Sequence, residues 1–527
     1  MTIKRIILGV LTVVALIPLL LNLIGSVNQP QVQANLQLYQ TNLILQASEL
    51  NFEVLSDSSS PSNADSNSLS SALLGNDPYF TAQTQYEEAK KLGEKNLSNL
   101  KEKLKQISEV PLENEGLSLQ TLLSANNLTQ AIQLQEEINQ QEKTLNKIDL
   151  KIGLIKAVRG ETHEAIATWN RLTVSEPTAT TATVLRELWS NQTEIPSIAE
   201  TVIEQNLQGW FHYTALKQYY QKTNQKESLL NLETEEQEIA LQSASKLALI
   251  SGIPVIGGLI GVGLLIFLLV QLLIKQKQAL LALTNEQAWE TPWGGETIWQ
   301  VLIVGFVFIG QILLPLLFGI GFGFLNINPN ELSLRFKAVY VLASYLTMAV
   351  GGILVLYLSI KSYFPIPKDW FRFRWLSNWI FWGLGGYLVA IPLVVIVSLI
   401  NQKIWQGQGG SNPLLMLALE SQDTVALIIF FFTAAIAAPL FEEIMFRGFL
   451  LPSLTRYMPV WGAIVVSGLI FAVAHLNLSE VIPLATLGII LGVVYTRSRN
   501  LLSSILLHSL WNSGTLLSLF ILGSSAG

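Results

Sequence analysis

The sequence lacks cysteine altogether, and it carries few charged residues for its length. Its 527 residues include no Cys and four His, with 13% charged residues against 50% hydrophobic ones. The absence of Cys excludes disulfides, thiol nucleophiles, Cys-ligated zinc, iron–sulfur clusters and thiol lipidation. Soluble globular proteins contain about 25% charged residues. An ordinary soluble enzyme is therefore a poor interpretation, and the composition favours a membrane protein.

The charges that remain are unevenly distributed. Residues 29–245 hold 28 acidic and 16 basic residues, a net charge of −12, whereas the rest of the chain holds 10 acidic and 16 basic residues, a net charge of +6. This asymmetry predicts a water-soluble acidic domain attached to a membrane body with basic edges.

The N-terminus has the pattern of a membrane anchor. Lys4 and Arg5 precede an apolar run from about Ile6 to Val27, and about 20 residues suffice to span the hydrocarbon core. We interpret residues 1–28 as an anchor; the alternative is a long signal peptide cleaved near Gln33-Ala34. The length of the run favours the anchor, and both interpretations export the segment that follows.

The segment 29–245 is predicted to be an exported helical domain. Apolar residues recur at helical spacing over Tyr86–Val110 and Leu128–Val158, which indicates amphipathic helices. Residues 160–177 resemble the second half of a tetratricopeptide unit, and a plain helical hairpin explains them equally well. One face of this unit would carry Ala165, Trp169 and Leu172.

Residues 246–527 are predicted to form the membrane domain. Eight apolar runs are each long enough to be considered as a span. They lie near 247–273, 299–325, 338–360, 379–400, 424–441, 461–475, 481–495 and 501–523. With the N-terminal anchor they predict an all-α polytopic protein of about nine spans.

The basic residues between these spans predict the orientation. With the N-terminus in the cytoplasm, twelve basic residues fall in cytoplasmic segments and three in the short opposite loops. The twelve are Lys4, Arg5, Lys275, Lys277, Lys361, Lys368, Arg372, Arg374, Arg447, Arg456, Arg497 and Arg499; the three are Arg335, Lys337 and Lys403. The positive-inside rule then places residues 29–245 on the periplasmic or luminal side.

Three polar motifs interrupt the last four apolar runs. They are Phe441-Glu442-Glu443-Ile444-Met445-Phe446-Arg447-Gly448, Phe471-Ala472-Val473-Ala474-His475 and His508-Ser509-Leu510-Trp511-Asn512. An ionisable side chain in the middle of a bilayer costs roughly 2.5–3.5 kcal/mol or more. Each motif alone is compatible with an interfacial salt bridge or a helix–helix hydrogen bond. Their joint occurrence predicts a functional site inside the membrane.

Helical spacing suggests which role each of these polar residues has. Glu443 and Arg447 are four apart and share a face, so they can form an ion pair, while Glu442 points about 100° away and is left free to react. His508 and Asn512 are also four apart and can offer hydrogen-bond donors to an oxyanion.

His475 is predicted to share a water with Glu442. The predicted span boundaries place Glu442 at the cytoplasmic end of its helix and His475 at the opposite end of the next one. Boundaries are the weakest part of such a prediction, and we expect them, rather than the site, to be at fault.

The ordered motifs resemble those of the CAAX-protease and bacteriocin-processing (abortive-infection) family of intramembrane proteases. The resemblance covers about residues 420–524, and every motif position is filled. These positions are Glu442, Glu443, Arg447, Phe471, His475, His508 and Asn512. The large exported domain is absent from the family's minimal members.

The resemblance implies hydrolysis of a peptide bond by a water that Glu442 activates. His475 would help to hold this water, His508 and Asn512 would stabilise the oxyanion, and the adjacent Glu–Arg pair would support the site structurally. The implied substrate is a membrane-associated protein or peptide.

The family is often labelled metalloprotease, but the sequence has no His-Glu-x-x-His motif. We favour a mechanism that requires no cofactor. In the alternative, Glu442, His475 and His508 would supply three ligands of an open zinc site, and the role of base would pass to another group such as Glu443.

Two other functions are compatible with the sequence. The protein could be a non-catalytic membrane scaffold or assembly factor whose exported domain binds a protein partner, since a fold does not establish a function. A transporter with a proton relay has the right residue types, but the sequence shows no internal repeat. The basic aromatic loop Lys368–Arg374 fits an interfacial anchor, and no nucleic-acid partner is expected.

Overall fold

The computed structural model describes residues 3–51, 74–108, 117–172, 176–190, 195–282, 288–328, 331–420 and 423–524. Within these ranges every regular element is a helix, apart from an isolated antiparallel bridge between Pro30 and Gln408. The predicted all-α fold class is therefore confirmed.

The chain divides into two compact units. One comprises Met1–Val32 and Gly252–Gly523, and the other is built on Gln33–Ser251. The apolar spans belong to the first unit and the acidic, water-soluble segment to the second.

The second unit is an array of helices. They are α2 (Gln33–Ser48), α3 (Pro78–Ser108), α4 (Leu117–Val158), α5 (Thr162–Trp169), α6 (Thr178–Trp189), α7 (Ala199–Asn206), α8 (Trp210–Lys222) and α9 (Lys226–Lys275), which continues past Ser251. Helix α1, which precedes them, belongs to the first unit and spans Ile3–Gly25.

Large aromatic residues form the core of this array. Trp169 is buried, and its indole N–H donates to the carbonyl of Leu150 at 3.1 Å. Glu49 accepts hydrogen bonds from the Trp210 indole and the Tyr79 hydroxyl, both at 2.7 Å. These bonds satisfy polar groups that burial would otherwise leave unpaired.

The first unit contains the apolar helices. After α1 and the second half of α9 come α10 (Gly295–Phe324), α11 (Leu334–Ile360), α12 (Trp379–Trp405), α13 (Pro413–Glu420), α14 (Thr424–Leu454), α15 (Val460–Val473), α16 (Val481–Ser498) and α17 (Leu501–Gly523). Their outer faces expose large apolar side chains: Leu259 and Leu273 are 70% and 78% exposed. Such a surface suits lipid rather than water.

Within the described residues, eight helices are long and apolar enough to cross a membrane, instead of the nine predicted spans. The predicted span at 461–475 is the shorter helix α15, which has 14 residues. At 1.5 Å per residue it rises about 21 Å, less than the roughly 30 Å of the hydrocarbon core.

Helix α1 is attached to its unit at both ends. Near its start, Lys4 and Arg5 form ion pairs with Glu296 at 3.2 and 3.0 Å. Just beyond its end, Ser26 Oγ accepts a hydrogen bond from the backbone of Leu478 at 3.2 Å. The helix therefore packs as part of the membrane unit.

Candidate active site

Helix α14 carries the paired glutamates in its interior. The predicted span ended at 441, with Glu442 at the cytoplasmic end, and this boundary is wrong because the helix runs from Thr424 to Leu454. Arg447, which we assigned to a cytoplasmic segment, lies inside this helix and is fully buried. The reason is electrostatic: internal pairing compensates the charges, so they do not end the helix.

Two stretches of wider, π-helical winding flank the glutamates. They span Thr433–Ala437 and Ile444–Leu450. Such windings are rare in proteins and often occur at functional sites. They change the angular positions of side chains, so ideal helical spacing alone does not fix the geometry here.

Glu443 and Arg447 form a buried ion pair. Both side chains are 0% exposed, and Arg447 Nη1 donates to Glu443 Oε1 at 2.6 Å. Arg447 Nη2 also donates to the carbonyl of Gly488 in α16 at 3.1 Å, and the guanidinium lies 4.4 Å from the centre of the Phe471 ring in α15. The pair thus connects three helices.

His508 of α17 lies between the two glutamates. Its side chain is 3% exposed; Nδ1 is 3.0 Å from Glu443 Oε1, and Nε2 is 3.9 Å from Glu442 Oε2. Its ring packs edge-on against Phe471 at 5.6 Å. A carboxylate behind one ring nitrogen fixes the orientation of an imidazole and directs the other nitrogen towards the reacting groups.

The two carboxylate oxygens of Glu442 have different surroundings. Oε1 accepts a hydrogen bond from the Tyr345 hydroxyl of α11 at 3.0 Å. Oε2 is buried and has no hydrogen-bond partner within the described part of the chain. The side chain is 14% exposed, so one oxygen is held while the other remains free to accept a proton.

Asn512 makes a different contact from the one expected. Its Nδ2 donates to the carbonyl of Ala434, in the first π-helical stretch of α14, at 2.7 Å. One of its two amide hydrogens is thereby used within the protein.

His475 does not lie in an apolar helix as predicted. Helix α15 ends at Val473, and His475 lies in the following turn, where Nδ1 is 2.9 Å from the carbonyl of Phe471. Its ring packs edge-on against the Phe471 ring at 5.0 Å. Phe471 thus contacts both histidines, but His475 makes no hydrogen bond to Glu442 among the described residues.

The segment after His475 is held by several hydrogen bonds. Asn477 Nδ2 donates to the carbonyl of His475 at 3.2 Å, and Asn401 Nδ2 of α12 donates to the carbonyl of Ser479 at 2.6 Å. Glu480 Oε1 accepts from the backbone N–H of Asn412 at 2.9 Å. This turn is therefore fixed to the helical body.

The geometry also bears on metal binding. Among the described residues, no group of three or more His, Asp or Glu side chains is placed to hold a metal ion. The zinc alternative requires Glu442, His475 and His508 together, and the described residues do not bring these three side chains into such a group.

Sequence reasoning missed Tyr345. Its hydroxyl is a polar group in the middle of an apolar run, and that position was the one available signal. Its partner Glu442 is 97 residues away in sequence, so spacing could not connect them.

Fold and site together define a polytopic helical membrane protein with a buried cluster of two carboxylates, a guanidinium and an imidazole. Comparison with known proteins shows which family the site-bearing segment resembles. Residues 424–514 match the family model described as Type II CAAX prenyl endopeptidase Rce1-like. This part of the chain, 91 of its 527 residues, is therefore similar to the CAAX-protease family of intramembrane proteases.

Two curated proteins are each similar to this chain over about 220 residues, a longer stretch than the segment that matches the family model. The membrane-embedded CAAX protease MroQ of Staphylococcus aureus (strain USA300) is 27% identical over 223 residues, which cover 41% of this chain and 87% of that protein. The protein named "Putative membrane peptidase YdiL" of Bacillus subtilis (strain 168) is 23% identical over 221 residues, covering 41% and 86%. No solved structure matches the chain significantly.

Proposed function

We propose that the chain is an intramembrane endopeptidase in which Glu442 activates a water for hydrolysis of a peptide bond. The observation that carries this proposal is the asymmetry of the Glu442 carboxylate. One oxygen is held by Tyr345, while the other is unpartnered among the described residues and faces His508 Nε2 at 3.9 Å. A water can bridge polar atoms at such a separation.

In the proposed reaction, Glu442 Oε2 takes a proton as the water oxygen attacks the carbonyl carbon of the substrate. The tetrahedral intermediate then collapses, the carbon–nitrogen bond breaks, and the same proton passes to the departing amine. His508 Nε2 faces the reacting groups and, when it carries a hydrogen, can donate to the oxyanion, with the second amide hydrogen of Asn512 as a further donor.

The proposed substrate is a membrane-associated protein or peptide. The Staphylococcus aureus relative is named a membrane-embedded CAAX protease, which supports this class of substrate. A site enclosed by apolar helices favours substrates that reach it from the bilayer, and a protein partner at the exported domain would bring such substrates to it.

The test uses the purified full-length protein with a detergent extract of membranes from a strain that lacks the gene. Incubation in water enriched in oxygen-18 should generate new peptide C-termini that carry one heavy oxygen. Glu442→Gln should abolish them, while Glu331→Gln, which changes an exposed carboxylate, should not. A repeat with a chelator tests for metal dependence.

The outcome separates two functions. If Glu442→Gln produces the same new termini as the wild type, the proposed mechanism is wrong. If neither protein cleaves anything in the extract, the non-catalytic scaffold becomes the better account.

We also propose that the N-terminus is cytoplasmic and that residues 29–245 are periplasmic or luminal. Without Arg447, eleven basic residues lie on the proposed cytoplasmic side against three on the other. This count requires the short helix α15 and the turn after it to reach the opposite side of the membrane. In support of this, Arg456 before α15 and Arg497 at the end of α16 both donate to backbone carbonyls of the segment 282–293, at 2.6 and 2.8 Å.

Because the chain has no Cys, single cysteines can report on sidedness directly. In vesicles whose cytoplasmic face is outside, an impermeant maleimide should label Lys277→Cys, and it should label Glu238→Cys only after lysis; the reverse pattern would contradict the orientation.

A further inference from the structure

Tyr345 lies in helix α11, outside the segment 424–514 that matches the family model. Its hydroxyl donates to Glu442 Oε1 at 3.0 Å. Its ring packs edge-on against Phe441, the residue before Glu442, with 6.1 Å between ring centres. Two contacts therefore join this side chain to the segment of α14 that carries the proposed base.

The hydrogen bond distinguishes the two oxygens of Glu442. A hydrogen bond to a carboxylate is stronger than one between neutral groups, and it restricts rotation of the carboxylate about its terminal bond. With Oε1 held in this way, Oε2 points towards His508 Nε2 at 3.9 Å and has no hydrogen-bond partner in the described ranges. Without the hydroxyl, the described residues offer Glu442 no side-chain hydrogen bond that would fix which oxygen faces the substrate.

We infer that Tyr345 is a positioning residue of the active site, which holds Glu442 Oε1 so that Oε2 alone accepts the proton of the attacking water. This inference rests on the proposed function. It extends the site beyond the last four helices to α11. Supporting groups of this kind hold catalytic side chains within a fraction of an ångström of the productive geometry.

The first test compares Tyr345→Phe with Tyr340→Phe in the membrane-extract assay. Tyr340 lies on the same helix and packs against the rings of Phe318 and Phe322 at 5.2 and 5.4 Å, so its variant controls for loss of a hydroxyl. Removing a hydrogen bond to a charged group predicts a rate of peptide-bond cleavage lower by roughly 10- to 100-fold for Tyr345→Phe. Tyr340→Phe should cleave at the wild-type rate.

The second test needs no substrate, and it still decides the question if Tyr345→Phe does not fold. 3-Fluorotyrosine at position 345 keeps both the ring and the hydroxyl and gives a fluorine NMR signal beside Glu442. Glu442→Gln should shift this resonance, and Glu331→Gln should leave it in place. Such a selective shift would show that the hydroxyl contacts the Glu442 carboxylate, as the positioning role requires.

The results separate this inference from the proposed function. If Glu442→Gln abolishes cleavage while Tyr345→Phe cleaves at the wild-type rate, the positioning role is wrong and the protease proposal stands. An unmoved fluorine signal in the Glu442→Gln variant also overturns the positioning role. If Glu442→Gln still cleaves, the proposed function fails, and the inference fails with it.

Discussion

Replacement of Arg447 by Met should destabilise the membrane unit strongly. The change leaves the Glu443 carboxylate fully buried without its guanidinium, which now lies 2.6 Å away. Breaking a buried ion pair by removing one partner costs about 3–5 kcal/mol. The variant also loses the hydrogen bond to the Gly488 carbonyl and the contact with the Phe471 ring, so we expect the upper half of that range.

The free energy of unfolding can be measured in mixed micelles by titration with a denaturing detergent, with tryptophan fluorescence as the signal. The control is the double variant Glu443→Gln/Arg447→Met, which removes both charges. It should be more stable than Arg447→Met alone, and the coupling between the two sites should be about 1.5–3 kcal/mol. A loss below about 1 kcal/mol for Arg447→Met, or strict additivity in the cycle, would refute the reasoning.

Two further predictions concern packing and pH. A Cβ atom at Gly488 would lie 2.8 Å from the Cα and 3.0 Å from the carbonyl oxygen of Gly468. Gly488→Ala should therefore force α15 and α16 apart and lower the free energy of unfolding by about 1–3 kcal/mol. The control Gly462→Ala, whose Cβ would meet only a side chain at 3.6 Å or more, should be tolerated in the same unfolding assay. In the other unit, burial lowers the pKa of Lys151, which lies 5.0 Å from the Phe211 ring centre, to about 8 from its ordinary 10.5. Between pH 8 and 10.5 the folded unit then binds fewer protons than the unfolded chain. Its free energy of unfolding should therefore rise by about 1–3 kcal/mol as the pH increases across this window, and this gain should be lost as the pH falls through 8. Urea unfolding at pH 7.5 and 9.5 checks this, and a wild-type slope that persists in Lys151→Met would contradict it.

The helices of the membrane unit could be predicted from hydropathy, but the predicted end of α14 was wrong because of the charged residues within the helix. The predicted end at 441 is the last residue of the uninterrupted apolar run before Glu442 and Glu443. In the structure, Arg447 neutralises Glu443 one turn later, so the helix continues to Leu454. Ion pairing within a helix can be inferred from spacing, and it should be weighed before a charged residue is taken as the end of a span.

The position of His475 could not be predicted for the opposite reason. The sequence remains apolar through Val473 and Ala474, so nothing in its hydropathy marks the end of α15. The chain turns there because Leu476 adopts a left-handed conformation, with φ of 63°. Contacts of the following turn with Asn401 and Asn412 stabilise this conformation. All of these contacts are distant in sequence.

Some contacts of the buried polar cluster could be predicted from the sequence, and others could not. Spacing predicted that Glu443 and Arg447 could pair, and the structure contains that pair. The contact of His508 with Glu443 and that of Tyr345 with Glu442 depend on how α11, α14 and α17 pack together. The local pattern indicates which residues matter, and the packing of helices decides which atoms meet.

The most direct test of the central claim is genetic complementation combined with membrane proteomics, in which wild type and Glu442→Gln are compared at equal expression. The account predicts that the variant fails to complement and that at least one membrane protein accumulates in a longer form. Full complementation by Glu442→Gln, with no membrane protein changed in length, would contradict it.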